Sequence, residues 1–450
     1  MMSLAEIGTA TNALEVFGHA HLEGVTTDTR KNCAAKLFVA LKGPNFDGHD
    51  YIEAAIKEDA AAVMVHRPYS GSLPAVRVSN TSEALLELAR AWREKYSIPT
   101  IGVTGSAGKT TVKEMLAAIL SLTGQGVVTK GNLNNHIGVP LTLTRLGAGD
   151  DYAVIEMGMS NRGEISRLSK ITRPSVAIIT NAGSAHLDGL GSIDEVAKAK
   201  AEIFEGLQAD GVAVINTDDP FADYWKEVVG STRQVSFGFS AESDVFVKLA
   251  EEALLGQKVL IALENRELSI ALPLSGSHNA LNAAAAVAAA RALDVSFEHI
   301  VDGLESFKPI SGRSNMLQVN GLTVIDDSYN ANPLSMTAAV DMLVAQQATR
   351  RVVVLGDMAE LGAGELEEHA ALGRYIENRP ISAVYAVGKL MESMVAVVGE
   401  RAEHFGSKQL MLKCLRRELK PGDVVLIKGS RSAGMEEIVK GLTVKSAKVH

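Results

Sequence analysis

Ile101-Gly102-Val103-Thr104-Gly105-Ser106-Ala107-Gly108-Lys109-Thr110-Thr111 is a short apolar run that turns through glycines into Lys-Thr-Thr and then into an amphipathic helical pattern. The spacing predicts a phosphate cradle between a strand and a helix. Gly105 and Gly108 permit backbone dihedrals that aim successive N–H groups at a polyphosphate, and the following helix adds the positive end of its dipole. Ser106, Ala107 and Thr111 complete the loop, Lys109 would reach the β- and γ-phosphates, and the Thr110 hydroxyl would ligate Mg²⁺. The general pattern G-x-x-x-x-G-K-[ST] is not met, because Val103 stands five residues before Gly108; the tighter T-G-x-x-G-K-T-T is.

Outward from the cradle, strand and helix patterns alternate, which predicts an α/β protein of three domains. Residues 1–98 form a small α/β block with strands at Leu37–Leu41 and Ala62–Val65 and a helix from Ser82 to Tyr96. Residues 99–310 form a central, P-loop ATPase-like block with strands at Thr100–Val103, Tyr152–Glu156, Val176–Thr180 and Val212–Asn216, a mostly parallel sheet covered on both faces. Residues 311–450 repeat the theme as a Rossmann-like domain, with strands at Thr323–Asp326, Arg351–Leu355, Ala383–Val387 and Val424–Lys428. Asn332 followed by Pro333 marks a helix start. Lys308-Pro309-Ile310-Ser311-Gly312 reads as the hinge into this last block.

The 450 residues are 46% hydrophobic and 22% charged with a net charge of -9, an ordinary globular balance that argues against broad nucleic-acid or anionic-membrane binding. Cys33 and Cys414 have no metal-type spacing, so free thiols in a reducing compartment are expected. Met1 to Glu6 carry no basic region followed by an apolar core, which fits a cytoplasmic location. The alanine-rich stretch Leu281–Leu293 contains Asn282 and Arg291 and is too short to span a bilayer, so it reads as a packed helix. A monomer acting on small molecules is expected.

Ligands of open parallel sheets bind beyond the carboxyl ends of the strands. Glu156 stands at one such end, and Asn181 leads the loop to His186 from another. With the cradle nearby, Glu156 and His186 are candidate Mg²⁺ ligands, His186 the weaker because Mg²⁺ prefers oxygen. Ser192-Ile193-Asp194-Glu195 is a capping-box pattern that predicts a helix to about Leu207. Val196, Ile203, Phe204 and Leu207 make its apolar stripe, with Lys200 in the middle and Lys198 on the opposite face. A lysine there either snorkels to water or has another reason to be buried. Asn279 and Asn282, three apart, either contact a purine or cap the alanine-rich helix; spacing alone favours capping for Asn279.

T-G-S-A-G-K-T-T at 104–111, Glu156, His186, A-K-A-E-I-F at 199–204, H-N-A-L-N at 278–282 and G-R at 312–313 together resemble the Mur ligases, ATP-dependent enzymes that build the peptidoglycan stem peptide. The resemblance spans essentially the whole chain, and the tight cradle variant is typical of amide-forming ligases. Gly131-Asn132-Leu133-Asn134-Asn135, the run from Asp326 to Pro333, and Leu355-Gly356-Asp357-Met358 resemble the family member that adds D-alanyl-D-alanine.

The resemblance implies that Thr27, Asp28, Thr29 and Arg30, with Lys42 and Asp47 in the segment from Leu37 to Ile52, bind the uridine diphosphate end of UDP-N-acetylmuramoyl-tripeptide. Without it, Arg30 and Lys42 are two surface cations. It implies that Asn132, Asn134 and Asn135 contact substrate, and that Lys200 is carbamylated and so becomes an oxygen ligand to Mg²⁺ beside Glu156 and His186. Asn279 and Asn282 match adenine-side residues, Arg313 a phosphate contact and Asp327 a ribose or phosphate contact. Tyr329, Asn330 and Asn332 would face the incoming dipeptide. The implied chemistry is an acyl phosphate made from ATP and the tripeptide carboxylate, attacked by the amine of D-alanyl-D-alanine, with closure of the third domain assembling the site. A sister ligase adding diaminopimelate or lysine would carry D-N-P-[RK], a folate-type enzyme would not need the first block, and a guanine switch would carry N-K-x-D; neither tetrapeptide signature is present.

Overall fold

The computed structural model describes residues 1–253 and 256–443. Three sheets succeed one another along the chain. The first has five strands in the order Glu15–Phe17, Ala75–Arg77, Ala62–Val65, Lys36–Val39, Gly24–Thr26, parallel except at Glu15–Phe17.

The central sheet has nine strands. Gly126–Val128, Tyr152–Glu156, Thr100–Thr104, Val176–Ile179, Val212–Asn216, Arg233–Gly238 and Val245–Ala253 follow one another in parallel. Gly256–Leu263 and Arg266–Leu272 then extend the edge antiparallel. The four inner strands, Tyr152–Glu156, Thr100–Thr104, Val176–Ile179 and Val212–Asn216, are buried along their whole length because both faces are covered. Ile101, Val103, Val154, Ile178 and Val214 point into one core, while Ala153, Ile155, Ala177, Ile179 and Ile215 point into the other. The antiparallel extension was not foreseen from the sequence; the rest of the central sheet matches the expected parallel pattern.

The first core is closed by three helices, of which Phe297–Glu305 contributes Ile300 and Leu304. Lys109–Leu120 follows the cradle, and Ser277–Ala292 packs along it with Ala280 and Ala283 to Ala290 fully buried. Methyl-sized side chains let the helix lie close to its neighbours on every side, so a stretch without an amphipathic stripe is stable here. The third sheet has the order Asn315–Val319, Leu322–Asp327, Asp423–Lys428, Arg350–Gly356, Ala383–Val387, Ala402–Phe405, parallel apart from its first strand.

Two local expectations need correction. The helix after Ser192 ends at Ala201 and continues only as a 3-10 turn over Glu202–Gly206. The Glu202 carboxylate accepts from the N–H groups of Gly163 and Ser166, capping the neighbouring helix Glu164–Thr172, and Ser169 Oγ donates to the Ile203 carbonyl, so local partners outside the helix take over. The capping box is half formed: Ser192 Oγ accepts from Glu195 N–H, but the Glu195 carboxylate pairs with Lys198 and Arg162. Asn279 is not a cap. Gly276, at φ +94°, holds the N-cap position, and Asn279 lies inside the helix donating Nδ2 to the Ser275 carbonyl at 2.7 Å. Asn332 does cap its helix, Pro333–Ala345, with the proline in the first turn. No helix among the described residues is long and apolar enough to cross a membrane.

Candidate active site

A cavity of about 630 Å³ lies beyond the carboxyl ends of Thr100–Thr104, Tyr152–Glu156, Val176–Ile179 and Val212–Asn216, walled on its far side by residues of the third sheet's domain. Its floor is the strand-to-helix turn. Gly105 sits at φ +153°, where an added Cβ would come within 1.8 Å of Thr180 Oγ1; Gly108, at φ +83°, would place one 2.3 Å from Asn282 Oδ1. Only glycine fits either position. The turn is held from behind: Asn181 Oδ1 accepts from Ala107 N–H at 2.8 Å, and Ser106 Oγ accepts from Gly183 N–H at 2.9 Å. Lys109 reaches back to donate to the Gly105 carbonyl at 2.6 Å, and burial holds its ammonium below the usual lysine range. Thr110 and Thr111 are buried beside it.

Facing the cradle, Glu156 is 2% exposed. Its Oε1 accepts from Asn134 Nδ2 at 2.8 Å, whereas its buried Oε2 has no hydrogen-bond partner and lies 3.9 Å from Lys113 Nζ. Lys113 is itself fully buried and donates to the Thr129 carbonyl at 2.8 Å. Asn132 and Asn135 also line the cavity, although Asn135 Oδ1 is engaged by the N–H groups of Ile137 and Gly138. His186 lies on a left-handed residue, φ +58°, and its Nδ1 is 2.5 Å from Oε2 of Glu360, a residue of the third block. The contact lowers the Glu360 carboxyl.

Lys200 is 1% exposed and makes no ion pair or hydrogen bond among the described residues, while Lys198 is solvent-facing and paired with Glu195. Lys200 and Lys198 therefore face opposite ways as the sequence suggested, although the expected stripe breaks after Ala201, with Ile203 buried and Phe204 and Leu207 only partly so. Burial, reinforced by nearby Lys109 and opposed by Asp219, pushes the Lys200 amine well below its ordinary value. Asp219 is raised by its own burial and accepts from the N–H groups of Ala182 and Phe221. Lys200 is not among the residues lining the cavity.

Asn279 and Asn282 are both buried, joined by a 3.1 Å hydrogen bond, and both line the cavity. From the third block, Arg313 stacks on Tyr329 with its guanidinium carbon 4.3 Å from the ring centre. Asp327 accepts from Ser314 N–H and from Lys428 Nζ at 2.5 Å, and Lys428 also donates to the Asn330 carbonyl. Asn332 Nδ2 donates to the Ser106 carbonyl at 3.2 Å, so the third block already rests on the cradle. Thr27, Asp28, Thr29, Arg30, Lys42 and Asp47 do not line this cavity. Arg30 is 88% exposed and paired with Asp28 at 2.9 Å; Asp47 caps a 3-10 turn, pairs with His49 and Arg67, and has its carboxyl held at about 2, first by the His49 N–H.

Sequence reasoning missed Lys113, Asp219, Glu360, Lys428 and Arg431. Lys113 had a signal, since it lies one helical turn beyond Lys109 among apolar positions. Lys428 also had one, as the polar end of an apolar strand. Glu360 lies in a loop and Arg431 opens a short 3-10 turn, and the role of each depends on which domain it faces.

A phosphate cradle, a partly unsatisfied carboxylate opposite it and a roof from a third α/β domain define a nucleotide-dependent enzyme of the P-loop class that couples ATP to a second substrate. Residues 21–93 match the Mur ligase family, catalytic domain; residues 103–290 the Mur ligase middle domain; and residues 312–431 the Mur ligase, glutamate ligase domain. The chain is 42% identical to the UDP-N-acetylmuramoyl-tripeptide--D-alanyl-D-alanine ligase of Escherichia coli (strain K12), covering 94% of both chains. It superposes on MurF from Acinetobacter baumannii with a TM-score of 0.92 at 34% identity over 98% of each chain. On MurF from Thermotoga maritima in complex with ADP the TM-score is 0.85 at 29% identity, over 93% of this chain and 96% of that one. The chain belongs to the Mur ligase family.

Proposed function

We propose that the chain joins D-alanyl-D-alanine to UDP-N-acetylmuramoyl-tripeptide with ATP, giving the UDP-pentapeptide, ADP and phosphate in peptidoglycan precursor synthesis. The observation that carries this reading is that one cavity holds the cradle around Lys109, the carboxylate of Glu156, and Arg313, Asp327 and Asn332 from the third block. We assign residues 1–98 to the UDP-substrate, 99–310 to ATP and 311–450 to nucleotide and acceptor.

The terminal carboxylate of the tripeptide attacks the γ-phosphorus of ATP; the bond to the β-phosphate oxygen breaks and ADP leaves. The acceptor amine then attacks the acyl carbon and phosphate leaves with the electron pair of the C–O bond. Both steps bring anions together, so the work of the protein is neutralisation and placement. In this reading the cradle N–H groups and Lys109 hold the β- and γ-phosphates. Arg313 adds a second cation, and Asn279 and Asn282 take the adenine side. Thr27 to Arg30, with Lys42 and Asp47, hold the uridine diphosphate, far enough from the reacting carboxylate to act as uniform binding.

The residues fit a divalent cation, because Glu156 Oε2 is a buried carboxylate oxygen without a hydrogen-bond partner. Thr110, Glu156, His186 and a carbamylated Lys200 would hold Mg²⁺, which would draw charge from the phosphate oxygens. Burial also supports the carbamate: it disfavours the charged form of the Lys200 amine, and the neutral amine is the form that adds to CO₂, releasing one proton. ATP and a nucleotide-sugar substrate fit a cytoplasmic enzyme, and we expect a monomer. Phosphate release from ATP tests the reading: it should require the UDP-tripeptide and D-alanyl-D-alanine together, and release independent of the dipeptide would contradict it.

A further inference from the structure

The ligation leaves one end of the acceptor unaccounted for. D-Alanyl-D-alanine is a zwitterion whose amine must reach the acyl carbon while its carboxylate is held apart from the phosphates. We infer that Arg431 holds that carboxylate and makes the enzyme select acceptors with a free C-terminal carboxylate. The inference rests on the proposed ligation.

Lys109, Arg313, Lys428 and Arg431 are the lysines and arginines lining the cavity among the described residues. Lys109 belongs to the cradle. Lys428 is 3% exposed and already engaged by the Asp327 carboxylate and the Asn330 carbonyl. Arg313 lies against Tyr329 beside Asp327, on the side assigned to nucleotide. Arg431 remains. Its side chain is 63% exposed, and of its five N–H donors one is committed, Nη1 to Glu436 Oε1 at 3.0 Å. Its guanidinium carbon lies 5.6 Å from the ring centre of Tyr329, the ring that also carries Arg313. Two cations on one aromatic ring leave local positive charge that favours an anion, and the planar fork of arginine matches a carboxylate.

The arginine is also firmly mounted. Arg431 opens a 3-10 turn over Arg431–Ala433. Ser430 N–H donates to the Asp357 carbonyl at 2.9 Å. Lys408 Nζ donates to the carbonyls of Ala433 at 3.0 Å and Gly434 at 3.2 Å while pairing with Glu437 at 2.7 Å. Arg431 lines the cavity together with Tyr329, Asn330 and Asn332, the residues expected to face the acceptor, so on the proposed ligation it serves the acceptor rather than the UDP-substrate.

The test compares D-alanyl-D-alanine with D-alanyl-D-alaninamide, which keeps the amine and lacks the carboxylate, in the wild type, Arg431→Ala and Arg431→Lys. The wild type should prefer the acid by about 10- to 100-fold in kcat/KM, the range for one charge-assisted contact. Arg431→Ala should lose that preference by losing activity on the acid alone, with the KM for ATP unchanged, and Arg431→Lys should recover part of it. An equal loss on both acceptors, or a raised KM for ATP, overturns the assignment in favour of a structural or phosphate role. Wild-type ligation without preference for the acid overturns it while leaving the ligase reading intact; no wild-type ligation at all overturns the ligase reading and the assignment with it.

Discussion

Replacing Lys200 by methionine removes a buried amine and keeps nearly the same volume. Lys200 is 1% exposed with no ion pair or hydrogen bond among the described residues, and burying such a group unpaired costs about 1–3 kcal/mol in proteins. Lys200→Met should therefore match or exceed wild-type stability by about that amount in CO₂-free buffer near neutral pH, while abolishing ligation. The pH dependence is sharper. The Lys200 amine is pushed below the ordinary 10.5 by burial first and by Lys109 second. Between its depressed native value and 10.5 the unfolded chain binds a proton that the folded one does not, so this site makes stability rise with pH, by up to about 1.4 kcal/mol per unit. The penalty is fully present below the native value and gone above 10.5. Urea unfolding at several pH values should show that rise in the wild type and its loss in Lys200→Met. Lys198→Ala, on the solvent face, should follow the wild type in stability and activity. Parallel curves for wild type and Lys200→Met would refute the burial argument, and a methionine variant that ligates normally would refute the carbamate.

Lys109→Met should fold normally by circular dichroism and lower turnover by about 10²-fold or more, because a charge aimed at the transferring phosphoryl group is gone; near-normal turnover would count against the cradle. Arg30→Ala, at a residue 88% exposed and paired only with Asp28 among the described residues, should change stability by no more than about 0.5 kcal/mol. It should raise the KM for the UDP-tripeptide; an altered KM for ATP would mean that the first block has another role. Glu360→Ala cuts the contact to His186, so small-angle scattering of the unliganded variant should show a more extended particle, and ATP analogue with UDP-tripeptide should restore compaction. Superimposable profiles for the variant and wild type would show that Asn332 on Ser106 and apolar packing hold the third block alone.

The central site was the most legible part of the chain because its residues sit where local pattern and position coincide. Glycines, Lys109 and Thr110 follow an apolar strand, Glu156 ends one, and the phase of Lys200 on its helix follows from a 3.6-residue period. What escaped depends on tertiary partners. The helix after Ser192 stops early because Glu202 serves another helix. Asn279 turned inward because Gly276 took the cap. Glu360 and Arg431 acquire meaning only when the third block folds over the cradle, which no periodicity encodes. The antiparallel edge strands Gly256–Leu263 and Arg266–Leu272 lengthened a sheet whose interior strands were recognisable from their unbroken apolar runs.

In the proposed ligation the carboxylate of the UDP-tripeptide is activated by phosphoryl transfer before the dipeptide amine attacks. UDP-N-acetylmuramoyl-tripeptide labelled with ¹⁸O in its terminal carboxylate, turned over with ATP and D-alanyl-D-alanine, tests it directly by mass spectrometry of both products. Passage through an acyl phosphate gives UDP-pentapeptide accompanied by one ¹⁸O in the released phosphate, since the carboxylate oxygen that attacked phosphorus leaves with it. Pentapeptide formed with unlabelled phosphate would contradict the acyl-phosphate route, and phosphate released without pentapeptide would contradict the ligase itself.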